Sequence, residues 1–159
     1  MIEESEFRRV MGHWLTGVAV VTTVRPGGQP CGLTVSAVSS VSLRPTLVLV
    51  CVDRASESHD CIAEAGVFAV NMLAEEDGEM IARRFGTRAR EAKFDVMGWR
   101  AEVTGAPVLE GALAWMDCRV AEMLPGGDHT VFLGEVMAGD AREGTPLAYY
   151  RGGFASLAP

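Results

Sequence analysis

The sequence predicts a mainly β fold, a closed or nearly closed antiparallel barrel with a few flanking helices. Three observations lead there. Six or seven segments have the β-branched or alternating make-up of strands, turn-dense stretches separate several of them, and only two or three short helical patterns intervene. Those helices do not alternate regularly with the strands, as a doubly wound parallel sheet would require. With 159 residues and no linker, internal repeat or low-complexity tract, the chain reads as one domain, 1–159, long enough to bury a sizeable core.

Phe7, Val10, Met11, Trp14 and Leu15 recur at helical spacing, which predicts an amphipathic helix over 3–15. TGVAVVTTV (16–24) is rich in β-branched residues and reads as a strand. RPGGQP (25–30) is dense in turn residues and leads into a second strand. LVLVCV (47–52) is apolar throughout, as expected of a strand buried on both faces. SESHDCIAEAG (56–66) opens on a serine cap, has an acidic first turn and ends on glycine, which predicts a short helix. VFAVNML (67–73) is another strand, 75–86 is helical, and 93–111 mixes loop and strand. ALAWMDCRVAEML (112–124) and TVFLGEVMAGD (130–140) read as long partner strands around a tight turn, PGGDH (125–129). The tail, PLAYYRGGFASL (146–157), sets aromatic residues beside a Gly-Gly break.

Composition excludes several classes. An apolar fraction of 48% argues against disorder, and no apolar run approaches the ~20 residues of a membrane span. The acidic start, MIEESEFRRV, lacks the layout of a secretory signal, so the expected location is cytoplasmic. Cys31, Cys51, Cys61 and Cys118 show no CxxC spacing and are expected to be reduced thiols. His13, His59 and His129 match no metal-site pattern, so no metal is expected. A net charge of −7 argues against nucleic acid. Arg83, Arg84, Arg88, Arg90 and Lys93 form a local basic cluster, either a solvated helix end or a place for phosphate. There is no G-x-S-x-G, HExxH, Walker loop or Rossmann fingerprint. The paired carboxylates Glu3/Glu4 and Glu75/Glu76 fall at helix starts, where the helix dipole explains them.

One stretch resists a bland reading. CGLTVSAVSSVS (31–42) holds four serines and a threonine without a charge. As a single strand, 34–42 sets Thr34, Ser36, Val38, Ser40 and Ser42 on one face and Val35, Ala37, Ser39 and Val41 on the other. Hydroxyls hydrogen-bond without bringing charge, and small side chains let a flat ligand approach the backbone, which suits a neutral aromatic heterocycle. A polar, solvent-facing barrel strand accounts for the same pattern.

The order of segments resembles the short flavin reductases of the FMN-binding split-barrel superfamily. The residues that carry the resemblance are GLTVSAVSSVSLRPTLVLVCVDRASES (32–58), FAVNML (68–73), RFG (84–86), GAPVLEGALAWMDCRV (105–120), GDHTVFLGEV (127–136) and PLAYYRGGF (146–154). The resemblance implies a homodimer of six-stranded antiparallel Greek-key barrels, with flavin (FMN or FAD) in a groove near the subunit interface. It also implies NAD(P)H as reductant and a separate flavin-dependent monooxygenase that receives the reduced flavin. By the same resemblance, Thr34, Val35, Ser36, Ala37, Ser39 and Ser40 lie along the flavin ring and chain. Cys51 and Val52 continue toward the ribityl, and Ser56 and Ser58 reach the phosphate, with Arg84, Phe85 and Gly86 as a second phosphate-side segment. His129 is placed beside the nicotinamide as the catalytic candidate, and Tyr150, Arg151 and Phe154 close the site.

In this reading the cofactors carry the hydride chemistry, and the protein stacks the two rings and offers backbone N–H groups to the charge that develops on reduction. The alternative is a flavin-binding electron carrier that does not turn over NAD(P)H. A pyridoxamine-phosphate-type oxidase would need a second phosphate site. The residues do not choose FMN over FAD, or NADH over NADPH.

Overall fold

The computed structural model describes residues 1–87, 93–95 and 97–157. The helix predicted over 3–15 is shorter, α1 (Glu4–Met11), because the chain leaves the helix at Gly12. Trp14 and Leu15 keep the apolar spacing but lie beyond it. A two-residue strand, β1 (Thr16–Gly17), precedes β2 (Ala19–Val24), which continues through the predicted turn into β3 (Pro30–Val35).

The 34–42 segment is two strands, not one. β3 ends at Val35 and β4 (Val38–Leu43) begins three residues on, turning into β5 (Thr46–Asp53). The face alternation expected across 34–42 is therefore interrupted at Ser36–Ala37, and it shifts again at a bulge between Ser40 and Ser42. After β5 come α2 (Glu57–Ala65), β6 (Val67–Met72), α3 (Glu75–Phe85) and a small hairpin of β7 (Trp99–Ala101) and β8 (Pro107–Leu109). The long hairpin is β9 (Ala114–Gly126) and β10 (His129–Ala141), with Gly127 at φ +73° in its two-residue turn. Pro125, Gly126 and His129, expected in the turn, belong to the strands. β11 (Ala148–Tyr150) pairs with β1 on one side and β12 (Gly153–Ala155) on the other.

The main sheet is antiparallel, in the order β3-β2-β6-β9-β10-β5-β4. Its two outermost strands, β3 and β4, are joined by Ser36 and Ala37 alone, so the sheet must curl until its edges meet. The Cys51 N–H donates to the Ala37 carbonyl at 3.1 Å, carrying the β4–β5 ladder one residue into that joint. Counted as one bent strand shared by both edges, β3–β4 makes the six-stranded barrel that the resemblance implied.

β2 shows how the sequence builds the core. Ala19 and Val21 point into the barrel with Val50, Val52, Phe68 and Phe132, whereas Val18 and Val20 pack outward under α3 with Ile81, Phe85 and Leu147. Asn71, wholly buried, donates to the Val20 carbonyl at 3.1 Å and accepts from Leu109 N–H at 2.7 Å, stitching β6, β2 and β8. β5 departs from its expected two-sided burial. Val48, Val50 and Val52 enter the core, while Leu47, Leu49 and Cys51 are only half-buried on the outer face.

Candidate active site

Two concavities flank the β3–β4 seam. The first, about 340 Å³, lies between β3, the loop from β5 into α2, the end of α3, and Lys93 with Phe94. Ser56 caps α2, its Oγ accepting from the Ser58 N–H at 3.3 Å, so the helix presents its positive end to this cavity. Arg25 lines it in an ion pair with Glu57. Lys93 Nζ donates to the carbonyls of Gly32 (3.2 Å) and Phe85 (3.3 Å). Burial pushes the Lys93 pKa down, against a smaller opposing influence of Cys31. Gly32 lets this wall form, since a Cβ there would stand 3.1 Å from the Phe85 ring. Hydroxyls, two cations and a helix N-terminus are groups that suit a phosphate, here beside the carboxylates of Asp53 and Glu57.

The second concavity is a broad apolar groove of about 1280 Å³. One side is α1 with Trp14 and Leu15, the other is Ser36–Ser40 with the outer face of β5, and the tail closes one end. Its walls are open: Phe7 is 54% exposed, Trp14 71% and Leu43 87%.

The structure distributes the expected site residues between these places. Thr34, Ser56, Ser58, Phe85 and Gly86 line the first cavity. Thr34 Oγ1 donates to the Ala82 carbonyl at 2.6 Å, and the buried Phe85 packs edge-to-face on Phe94 at 5.0 Å. Ser36, Ala37, Ser39 and Ser40 line the groove. The side chains of Val35 and Val52 point into the barrel core, leaving only their backbone for a ligand. Cys51 is half-buried on the outer face of β5, and burial pushes its thiol pKa up.

His129 opens β10 opposite Asp53, itself part of the first cavity's wall. It lines neither concavity, and its Nδ1 lies 2.7 Å from Asp128 Oδ1. That hydrogen bond, with the charge of the imidazole behind it, holds the exposed Asp128 carboxyl below its usual range. Arg151, at φ +50°, lines the groove and donates its N–H to the Gly12 carbonyl at 2.9 Å. Tyr150 Oη is 3.4 Å from His13 Nδ1, beside α1. Phe154 packs on Tyr149, with the Arg83 guanidinium 5.2 Å over its ring. Tyr150 and Arg151 thus lie at the α1 end of the groove, whereas Phe154 stands against the last turn of α3.

Within the basic cluster, Arg83 pairs with Glu79 one turn away and keeps its solvated role. Arg84 is half-buried on the last turn of α3. Arg88 and Arg90 lie outside the described residues. Sequence reasoning missed Arg25, hidden in a turn motif, and did not single out Lys93 within the basic cluster offered as a solvated helix end or a place for phosphate. The one signal for Lys93 was the following Phe94, whose ring anchors on Phe85.

Comparison with known proteins places the chain in a family. The flavin reductase like domain family matches residues 11–158. The reductase subunit of a flavin-dependent monooxygenase from Rhodococcus jostii is 39% identical over 159 residues, covering 99% of this chain and 80% of the relative. A flavin reductase (NADH) from Kitasatospora aureofaciens is 40% identical over 158 residues, covering 98% and 82%. Among solved structures, the NADH:FAD oxidoreductase of Streptomyces globisporus in complex with NAD and FAD fragments superposes with a TM-score of 0.91 at 35% identity, covering 99% of this chain and 94% of that one.

Proposed function

The chain belongs to the flavin reductase-like family, and on that premise we propose that it is an NADH:flavin oxidoreductase supplying reduced FMN or FAD to a separate flavin-dependent monooxygenase. One observation carries the reading: Cys31–Ser40 runs without interruption from a cation-and-hydroxyl cavity into an apolar groove. A flavin mononucleotide has the same polarity, a phosphate at one end and a flat ring at the other. Relatives named as NADH-dependent reductases and as monooxygenase reductase components support the nicotinamide and the partner.

The bound flavin and nicotinamide supply the hydride transfer between them. The chain's own residues bind and orient. Ser56, Ser58, Lys93 and the α2 N-terminus hold the phosphate, with Arg84 at the neighbouring end of α3. Ala37 offers no side chain beyond Cβ, so a ring can lie close to the seam. His129, the catalytic candidate, orients the nicotinamide from the β5–β10 edge, and Asp128 fixes its ring. Arg151 lines the α1 end of the groove with Tyr150 beside it, and Phe154 backs Tyr149 from the α3 side.

The groove is completed by a second copy of the chain. α1 buries none of its residues, and its apolar stripe faces the exposed outer side of β4–β5. Leaving that surface in water is unfavourable, and pairing two copies removes it. The whole chain, 1–159, acts as one domain. Its four cysteines are free, which suits the cytoplasm, and among the described residues no helix is long and apolar enough to cross a membrane. The acidic net charge of −7 suits no nucleic-acid partner.

Anaerobic oxidation of NADH followed by absorbance, with FMN or FAD added to the purified protein, tests the reading. Turnover that depends on flavin supports a reductase. Flavin binding without turnover favours an electron carrier and removes the nicotinamide role of His129.

A further inference from the structure

Glu57 stands where the proposed flavin site has least use for a negative charge. The side chains lining the phosphate cavity carry two cations, Arg25 and Lys93, against two carboxylates, Asp53 and Glu57, so their formal charges cancel. Asp53 is committed to local structure: its Oδ1 accepts from the Ala55 N–H at 2.8 Å in the turn that leads into α2. Glu57 is the first residue of α2, directly after the Ser56 cap, and its carboxylate is paired with Arg25.

Arg25 is fixed at the start of the β2–β3 turn, where its N–H donates to the Gln29 carbonyl at 2.8 Å and its carbonyl accepts from the Gly28 N–H at 2.9 Å. The paired side chains are 35% and 29% exposed, so water screens them less than an ion pair on open surface. A helix start favours a carboxylate whatever lies beyond it, which accounts for an acidic residue at this position. It does not account for a carboxylate set on a cation of a cavity suited to anions. Glu57 offers the guanidinium what a phosphate would offer, anionic oxygens within hydrogen-bond reach.

We propose that Glu57 is a specificity-determining residue that competes with the flavin phosphate for Arg25, weakening the hold on the phosphate so that flavin leaves after reduction instead of staying as a resident group. This rests on the phosphate reading of the cavity given above. When a phosphate enters, the Arg25 guanidinium keeps its place and changes partner, and the Glu57 carboxylate is left beside a like charge. Lys93, the hydroxyls and the helix end still attract the phosphate, but the displaced ion pair and the like-charge contact subtract from the hold. A reductase that hands its product to a separate enzyme needs that weakness, since a phosphate held at full strength would retain the reduced flavin too.

The test compares FMN and riboflavin binding to the full chain and to Glu57→Gln by fluorescence quenching, with FMN dissociation followed by stopped flow. The amide is close to isosteric and still accepts a hydrogen bond from a guanidinium, so the variant removes the charge and little else. FMN should bind Glu57→Gln about five- to tenfold tighter, mainly through slower dissociation, with riboflavin unchanged. Adding Arg25→Met should abolish that gain, because the gain comes from the released guanidinium. Glu57→Ala is read in the same way if the glutamine variant does not fold. Weaker or unchanged FMN binding by Glu57→Gln, in a protein that prefers FMN to riboflavin, overturns the proposal and leaves Glu57 as a prop for Arg25 and α2. A gain that survives Arg25→Met, or that appears equally with riboflavin, overturns it as well. FMN and riboflavin bound alike by both the wild type and Glu57→Gln would overturn the phosphate reading itself.

Discussion

The phosphate cavity and the apolar groove share one strand segment but are built on opposite principles. In the cavity, polar groups are already engaged: Ser56 caps α2, Thr34 bonds the Ala82 carbonyl, Arg25 pairs with Glu57, and Lys93 is held by two carbonyls. A ligand there meets a preorganised surface and causes little rearrangement. In the groove, α1 and the outer face of β4–β5 present exposed or half-buried apolar side chains. On the proposed function, one chain recognises the phosphate, and the ring site is complete only when a second copy covers it.

The largest effect that would break this division is expected from Ala37→Phe. A phenyl ring at the seam occupies the space intended for the flavin ring, so turnover should fall by about 100-fold or more, with dimer size and circular dichroism unchanged. An active variant would place the ring elsewhere. Next comes Trp14→Asp, which buries a carboxylate in the intersubunit surface at a cost of several kcal/mol. Light scattering should then report a monomer, and NADH turnover should collapse. A dimeric, active variant would show that α1 is not the interface.

Lys93→Met sharpens the comparison from the other side. Losing one charge-assisted hydrogen bond should weaken FMN about 10- to 100-fold, with riboflavin affinity unchanged. The pH dependence has a definite sign. Because burial lowers the Lys93 pKa, its proton leaves below the ordinary lysine range. The preference for FMN over riboflavin should therefore be intact at lower pH and shrink as pH rises through that lowered value. A preference that is flat with pH would remove Lys93 from phosphate binding. The smallest effect is expected from His129→Ala, a rise of a few-fold in the KM for NADH and less in that for flavin. Equal changes in both would move His129 into the flavin site.

How much of this was legible in the sequence follows the same division. Strands β2, β6 and β10 declared themselves through β-branched runs, and α2 through Ser56 and Gly66, because those signals act locally. The bend at Ser36–Ala37 carries no glycine or proline, so a single strand was the natural reading, although barrel closure requires the break. Trp14 and Leu15 kept helical spacing because they continue the apolar surface of α1, not the helix. Ser56 and Ser58 could be assigned to the phosphate only through the family resemblance. Arg25 and Lys93 could not, since only the packing of β3 against α2 and α3 brings the two together. Val35 and Val52 offer a ligand only their backbone, because strand alternation turns their side chains into the barrel.

The most direct measurement compares FMN and riboflavin binding to the wild-type protein by fluorescence quenching. The two ligands share the ring and ribityl chain and differ only in the phosphate. The arrangement described here predicts that FMN binds tighter by about 10-fold or more. Equal affinities would show that the cavity formed by Ser56, Ser58 and Lys93 does not hold the phosphate, and would contradict the division between the two concavities.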